Sequence, residues 1–231
     1  MSASGSAADA LPADWSPWRA PSPLDGRRPS PVDLAHAAAA WLRRDDVLPY
    51  PTDAESAGRV RLLMVGINPR PWTIAVNAPF ARLGNRFWSS LAVAGLTDEV
   101  VDASRGLSSA DERMLAAHGI GMTNLVARPT ARADELEAHE LHLGGRRLLE
   151  RVGVLRPRSV AVVGVTAFRT AFSVPRARMG AQEVGALSGW PKDIPLWAVP
   201  NPSGPNAHET VESLGEWWRK VWAASAPSSA P

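Results

Sequence analysis

Two Asn-Pro dipeptides hold the residues best placed to do chemistry in this chain. Asn68-Pro69 follows the apolar run RVRLLMVGI (residues 59–67), and Asn201-Pro202-Ser203-Gly204 follows PLWAVP (residues 195–200). A single Asn-Pro only starts a turn. Two of them at the ends of two strands of one sheet define a candidate cleft. Neither turn carries a carboxylate, a lysine or a phosphate-cradling GxxxxGK, so paired-carboxylate and Schiff-base chemistry have no foothold there. An asparagine amide is not a general base near neutral pH, but its oxygen accepts a hydrogen bond from water and orients it. That is enough only where the bond being broken departs largely by itself. An N-glycosidic bond to a good nucleobase leaving group meets this condition: the sugar becomes an oxocarbenium ion and water captures it.

The elements that would position these turns follow from the pattern. RVRLLMVGI and SVAVVGV (residues 159–165) are continuous apolar runs of strand length, as in strands buried on both faces of a parallel sheet. PLWAVP is a third strand and GIGMTNLV (residues 119–126) a weaker fourth. Helical patterns lie between them, over residues 85–94, 109–118, 135–152, 166–172 and 209–223. Strands alternating with helices imply a mainly parallel sheet covered on both faces. Ligands bind such sheets beyond the carboxyl ends of the strands, where both Asn-Pro turns fall.

The flanks read differently. Residues 1–31 are rich in Ala, Pro and Ser and read as a disordered tail, although Trp15 and Trp18 are unusual for a linker. Residues 32–58 hold a short helix (33–44) and a connector. Residues 59–224 form the main domain, and 225–231 are a second disordered tail.

Composition narrows the classes. Of 231 residues, 45% are apolar, enough for a sizeable core, and the net charge is +2. No run of about 18 apolar residues occurs, so no membrane span is expected. No secretory signal is apparent, and a cytoplasmic location is expected, nucleoid-associated in a prokaryote. The chain has no cysteine, which excludes disulfides, thiolate zinc sites and cysteine-ligated clusters. His139 and His142 are three apart on a helical pattern and read as a solvated face rather than a metal site. No metal or other cofactor is expected. The basic residues are almost all arginine, only Lys192 and Lys220 being lysine. Arginine suits bidentate phosphate contacts.

The segments GINP…FARLGNRFW, GMTNLVARPTARADELEAHELHLGGRRLLE and VPNPSGPNAH, in this order and spacing, closely resemble the mismatch-specific uracil/thymine-DNA glycosylases of the uracil-DNA glycosylase superfamily. The resemblance spans residues 60–221. It implies a three-layer α/β/α sandwich around a short, mainly parallel central sheet. It also implies that Asn68 positions the attacking water and that Phe80 stacks on the extruded base. Asn201, Pro202, Ser203, Gly204, Pro205 and Asn206 would form the loop that enters the duplex. Backbone amides near Ile67 and Arg70 can then read the base edge, and Thr123 and Asn124 border its pocket. The chain departs from the family pattern twice: Arg70 stands where a glycine is usual, and Pro205 where a leucine wedge is usual.

Several of these residues have a plainer reading. Phe80 can be a core aromatic, Thr123 and Asn124 strand-end residues, and Arg128 either a phosphate contact or a helix cap. Asn85 reads as an N-cap, Phe87 and Trp88 as core, and Arg86 as a structural or phosphate-binding residue. Gly144 and Gly145 mark close helix packing, with Arg146 and Arg147 a solvated face. The expected activity is that of a monofunctional glycosylase removing uracil, best opposite guanine, with thymine and exocyclic cytosine adducts as further substrates. Its partner would be double-stranded DNA carrying mispaired or damaged bases, and the chain is expected to act as a monomer. Two other classes compete: a binder of mispairs or abasic sites with little catalysis, supported by Arg70 and Pro205, and a small-molecule enzyme on the same sheet topology.

Overall fold

The computed structural model describes residues 20–39, 46–48, 60–203 and 209–226. Its centre is a five-stranded sheet. β1 (Leu62–Gly66), β2 (Ile120–Asn124), β3 (Ser159–Val163), β4 (Gly180–Ala181) and β5 (Leu196–Val199) are ordered β2-β1-β3-β5-β4. The first four in that order run parallel, and only the two-residue β4 is antiparallel, against β5. The fold is thus the three-layer α/β/α arrangement with a short, mainly parallel sheet.

Period-two alternation assigns each strand residue to a layer. Leu63 and Val65 of β1, with Val160 and Val162 of β3, enter one core with Leu148 and Val152 of α5 (Ala138–Leu155) and Phe168 of α6 (Val165–Ala171). Leu62 and Met64, with Ala161 and Val163, face the other core. There they meet Leu91 of α3 (Phe87–Val93), Leu115 of α4 (Ser109–His118) and Trp218 of α7 (Val211–Ala224). Each Val, Leu, Met or Phe side chain among them, once fully buried, stabilises the fold by roughly 1.5–3 kcal/mol. Burial on both faces explains why the strands read as unbroken apolar runs.

Local chemistry sets the helix ends. Ser108 and Asp111 form a reciprocal capping box at the start of α4, and Gly119 ends it in the left-handed region with φ 69°. The helix expected from residue 135 instead starts at Ala138. A short 3-10 turn (Ala133–Glu135) precedes it, and Glu137 and Glu140 build its capping box. Within α5, a Cβ on Gly144 or Gly145 would strike the backbone of Leu125 or Ala171, so these glycines do mark close packing.

The expected first helix is present as α1 (Pro31–Ala39), which packs on α2 (Pro71–Ala75) around Ala37, Ile74 and Ala75. Residues 20–31, expected to be free tail, are held to the body. The Asn77 side-chain amide donates to the Ala20 carbonyl at 2.9 Å, and Arg28 donates to the Ser104 hydroxyl at 3.3 Å. Trp15 and Trp18 lie outside the described residues. No helix among the described residues is long and apolar enough to cross a membrane.

Candidate active site

The strand order reverses between β1 and β3, and the carboxyl ends of β1, β2, β3 and β5 converge beside that switch point. A cavity of about 70 Å³ opens there, and Gly66, Asn124, Val163 and Asn201 each bring a strand end to it. The loop after β1 adds Ile67, Asn68, Pro69 and Arg70. The segment before α3 adds Pro79, Phe80, Arg82 and Asn85. Ser203 closes the side next to Asn201. Residues far apart in the chain are therefore gathered at one site. Gly204, Pro205 and Asn206 fall outside the described residues.

Asn68 is held by its nitrogen. Its side-chain amide donates to the Arg128 carbonyl at 3.0 Å and to the Thr130 hydroxyl at 2.7 Å. A carbonyl oxygen only accepts, and the Thr130 hydroxyl gives its own proton to the Arg132 carbonyl at 2.6 Å. Both partners therefore require the nitrogen of Asn68, and both of its hydrogens are used. The side-chain oxygen of Asn68 has no partner among the described residues, and Asn68 lines the cavity. Backbone pairing sets the frame: Leu125, Val126 and Thr130 donate to the carbonyls of Gly66, Ile67 and Pro69. The backbone N–H groups of Ile67 and Arg70 have no acceptor among the described residues.

Phe80 is both strained and braced. Its φ is 52°, a left-handed conformation that few side chains other than Asn and Asp adopt readily. One ring face stacks on Phe87, with centroids 3.7 Å apart. Phe87 in turn meets Trp88 and Trp218 edge-on. The Trp88 indole N–H donates to the Pro79 carbonyl at 3.1 Å, fixing the segment that carries Phe80. The rest of Phe80 lines the cavity, so it is at once a core contact and a cavity wall.

Three arginines differ in what they do. Arg128 forms a two-pronged ion pair with Glu140 at 2.7 Å. This raises the Arg128 pKa and pulls the Glu140 carboxyl down to about 2. Of the two readings for Arg128, a phosphate contact and a helix cap, the structure favours the second: it locks the start of α5. Arg86 donates to the carbonyls of Ser203, at 3.0 Å, and of Glu209, while its backbone N–H meets the Pro202 carbonyl at 3.1 Å. It thus joins both stems of the segment containing residues 204–208. Arg70 lines the cavity; burial and the nearby Arg82 guanidinium lower its pKa, and Glu135 opposes them.

Two expectations need correction. Asn85 is not the N-cap of α3, a position Arg86 holds; it lies one residue earlier, its side chain accepts from the Phe87 N–H at 3.0 Å, and it lines the cavity. Thr123 does not border the pocket. It is buried behind β2, donating to Asp46 at 2.8 Å and accepting from Arg151 at 2.7 Å. Its neighbour Asn124 is the one that reaches the cavity, as alternation along β2 demands. Thr130 and Arg82 escaped the sequence reading. Thr130 could have been found as the polar residue in the loop after β2, the strand next to β1.

A second, larger cavity of about 380 Å³ lies between α5, α6 and residues 187–190, lined by His142, Arg146, Phe172 and Trp190 among others. None of the site residues expected from the sequence reaches it. No cluster of three or more metal-ligating acidic or histidine side chains occurs among the described residues. His139 faces Glu137 at 3.1 Å.

The family model described as the uracil DNA glycosylase superfamily matches residues 53–224, and the chain belongs to that superfamily. Its members are DNA glycosylases, hydrolases whose partner is DNA.

Proposed function

We propose that this superfamily member is a monofunctional, mismatch-directed DNA glycosylase that hydrolyses the N-glycosidic bond of uracil, with G·U the preferred pair. Thymine and exocyclic cytosine adducts extend the same reading. The observation that carries it is the Asn68 side chain. With both amide hydrogens committed to Arg128 and Thr130, its free oxygen is left at the cavity to accept from water and aim it at the sugar.

The other residues support this in the same terms. A base inside a duplex is out of reach, so it must be extruded at a cost of a few kcal/mol, less when it is mispaired. Stacking on the open side of Phe80 returns about 1–3 kcal/mol. Free N–H groups at Ile67 and Arg70, with the Asn124 amide, offer donors to the carbonyl edge of uracil. The loop begun by Asn201, Pro202 and Ser203 fills the vacated space in the duplex, through Gly204, Pro205 and Asn206. Water attack on an oxocarbenium-like sugar then leaves an abasic site. No lysine lies in either loop to form a Schiff base and cut the strand.

The reading is tested on end-labelled duplexes holding one G·U, A·U or G·T pair, with enzyme in excess and alkaline cleavage of the abasic product. Release fastest from G·U, and lowered about 100-fold or more by Asn68→Ala, is the expected result. Binding without release from any duplex would favour the second reading, a mispair or abasic-site binder, for which Arg70 in the cavity wall is the specific support.

A further inference from the structure

We propose that Arg70 and Arg82 form a two-guanidinium clamp on one phosphodiester of the DNA strand whose base enters the cavity, an inference that rests on the proposed glycosylase reading. The pair is unusual in its surroundings. Other arginines at or near the site have partners: Arg128 has Glu140, Arg132 has Asp134, and Arg86 has the carbonyls of Ser203 and Glu209. Arg70 and Arg82 both line the cavity, yet neither guanidinium makes a hydrogen bond or ion pair among the described residues. They also feel each other, and Arg70 is only half exposed.

A partly desolvated Arg70 beside the exposed like charge of Arg82 is unfavourable unless a counter-anion completes the pair. Glu135 acts on Arg70 only at a distance. The two residues come from different loops that line one cavity. Arg70 is in the turn between β1 and α2, and Arg82 is two residues after Phe80. An anion held by both would sit across the mouth. A nucleotide turned out of a duplex carries its flanking phosphates past that mouth, and phosphate oxygens accept the parallel N–H groups of guanidinium well. Arg70 at the usual glycine position thus supplies a handle on the strand rather than an obstruction to the base.

The test measures binding of the Asn68→Ala protein to a G·U duplex across a range of salt. Arg70→Gln and Arg82→Gln are made singly and together in that background, with Arg146→Gln, by the second cavity, as control. Each single change should weaken binding about tenfold and lower the salt slope by about one. Because one phosphate is shared, the double change should lower the slope no further. Replacing the phosphate flanking the uracil by a neutral methylphosphonate should cost the Asn68→Ala parent the same affinity and cost the double variant nothing. Unchanged affinity and slope in the double variant would overturn the clamp. So would a methylphosphonate that costs the parent nothing, since the arginines would then meet some other anion. Far-ultraviolet circular dichroism confirms that each variant is folded. Uracil release by the unmodified chain is scored separately, so the clamp and the glycosylase reading can fail independently.

Discussion

Gly66 and Asn124 meet at the floor of the cavity: a Cβ on Gly66 would collide with the side-chain oxygen of Asn124 and lie 3.4 Å from the Phe80 ring. The two residues are register partners on β1 and β2. The absence of a side chain at Gly66 is what allows the Asn124 amide to cross the strand end into the site. Gly66→Ala should therefore turn Asn124 aside while the sheet survives. Single-turnover uracil release is expected to fall about 100-fold, as for a misplacement of about 1 Å. A full rate in this variant would show that Asn124 does not read the base.

Thr130 should act through Asn68. Thr130→Val keeps the shape but removes the acceptor at 2.7 Å, leaving Asn68 tied only to the Arg128 carbonyl and free to swing. The expected effect is a roughly tenfold lower kcat at unchanged KM, with Thr130→Ser restoring the rate. A raised KM at unchanged kcat would instead place Thr130 at the substrate.

Phe80 and Phe87 are stacked but should fail in different ways. Phe80→Ala is expected to weaken binding of an extruded base by about 1–3 kcal/mol, read as duplex affinity in the Asn68→Ala background. Phe87 is fully buried, so Phe87→Ala should cost about 3–5 kcal/mol of stability in chemical denaturation. Equal destabilisation by both changes would make Phe80 a core residue only.

The Arg128–Glu140 pair predicts an acid limb. The Glu140 carboxyl falls from an ordinary 4.5 to about 2 in the folded chain. A depressed carboxylate adds stability that is complete above pH 4.5 and drains away as pH falls towards 2. The pair is partly solvated, which keeps the gain modest. Melting temperatures should show this decline in the wild-type chain, whereas Glu140→Gln should start lower at neutral pH and lack that part of it. Parallel curves for the two proteins would mean that the ion pair adds nothing.

The strands were the most legible part of the chain, because β1 and β3 are buried on both faces and, Ser159 apart, carry no polar side chain. The Asn-Pro turns were legible for a related reason: a parallel sheet sends its carboxyl ends to one edge, and Asn68 and Asn201 both reach the cavity there although β3 lies between their strands. What escaped was short or depended on distant partners. α2 spans five residues, too few for a helical period, and β4 only two. Residues 20–31 look like linker by composition and are held by contacts from Asn77 and Ser104, far along the chain. Thr130 is an unremarkable polar loop residue until Asn68 is placed against it, and the Arg70–Arg82 pair exists only once two loops are folded to one opening.

Arg86 has a further consequence. One side chain fastens Ser203 on one stem and Glu209 on the other, so residues 204–208 are bracketed by a staple that belongs to neither stem. The separation of the two stems is therefore set from the start of α3, through one guanidinium. Pro205, where leucine is usual, stands in the sequence between those stems. A shift at the start of α3 would therefore carry both stems together.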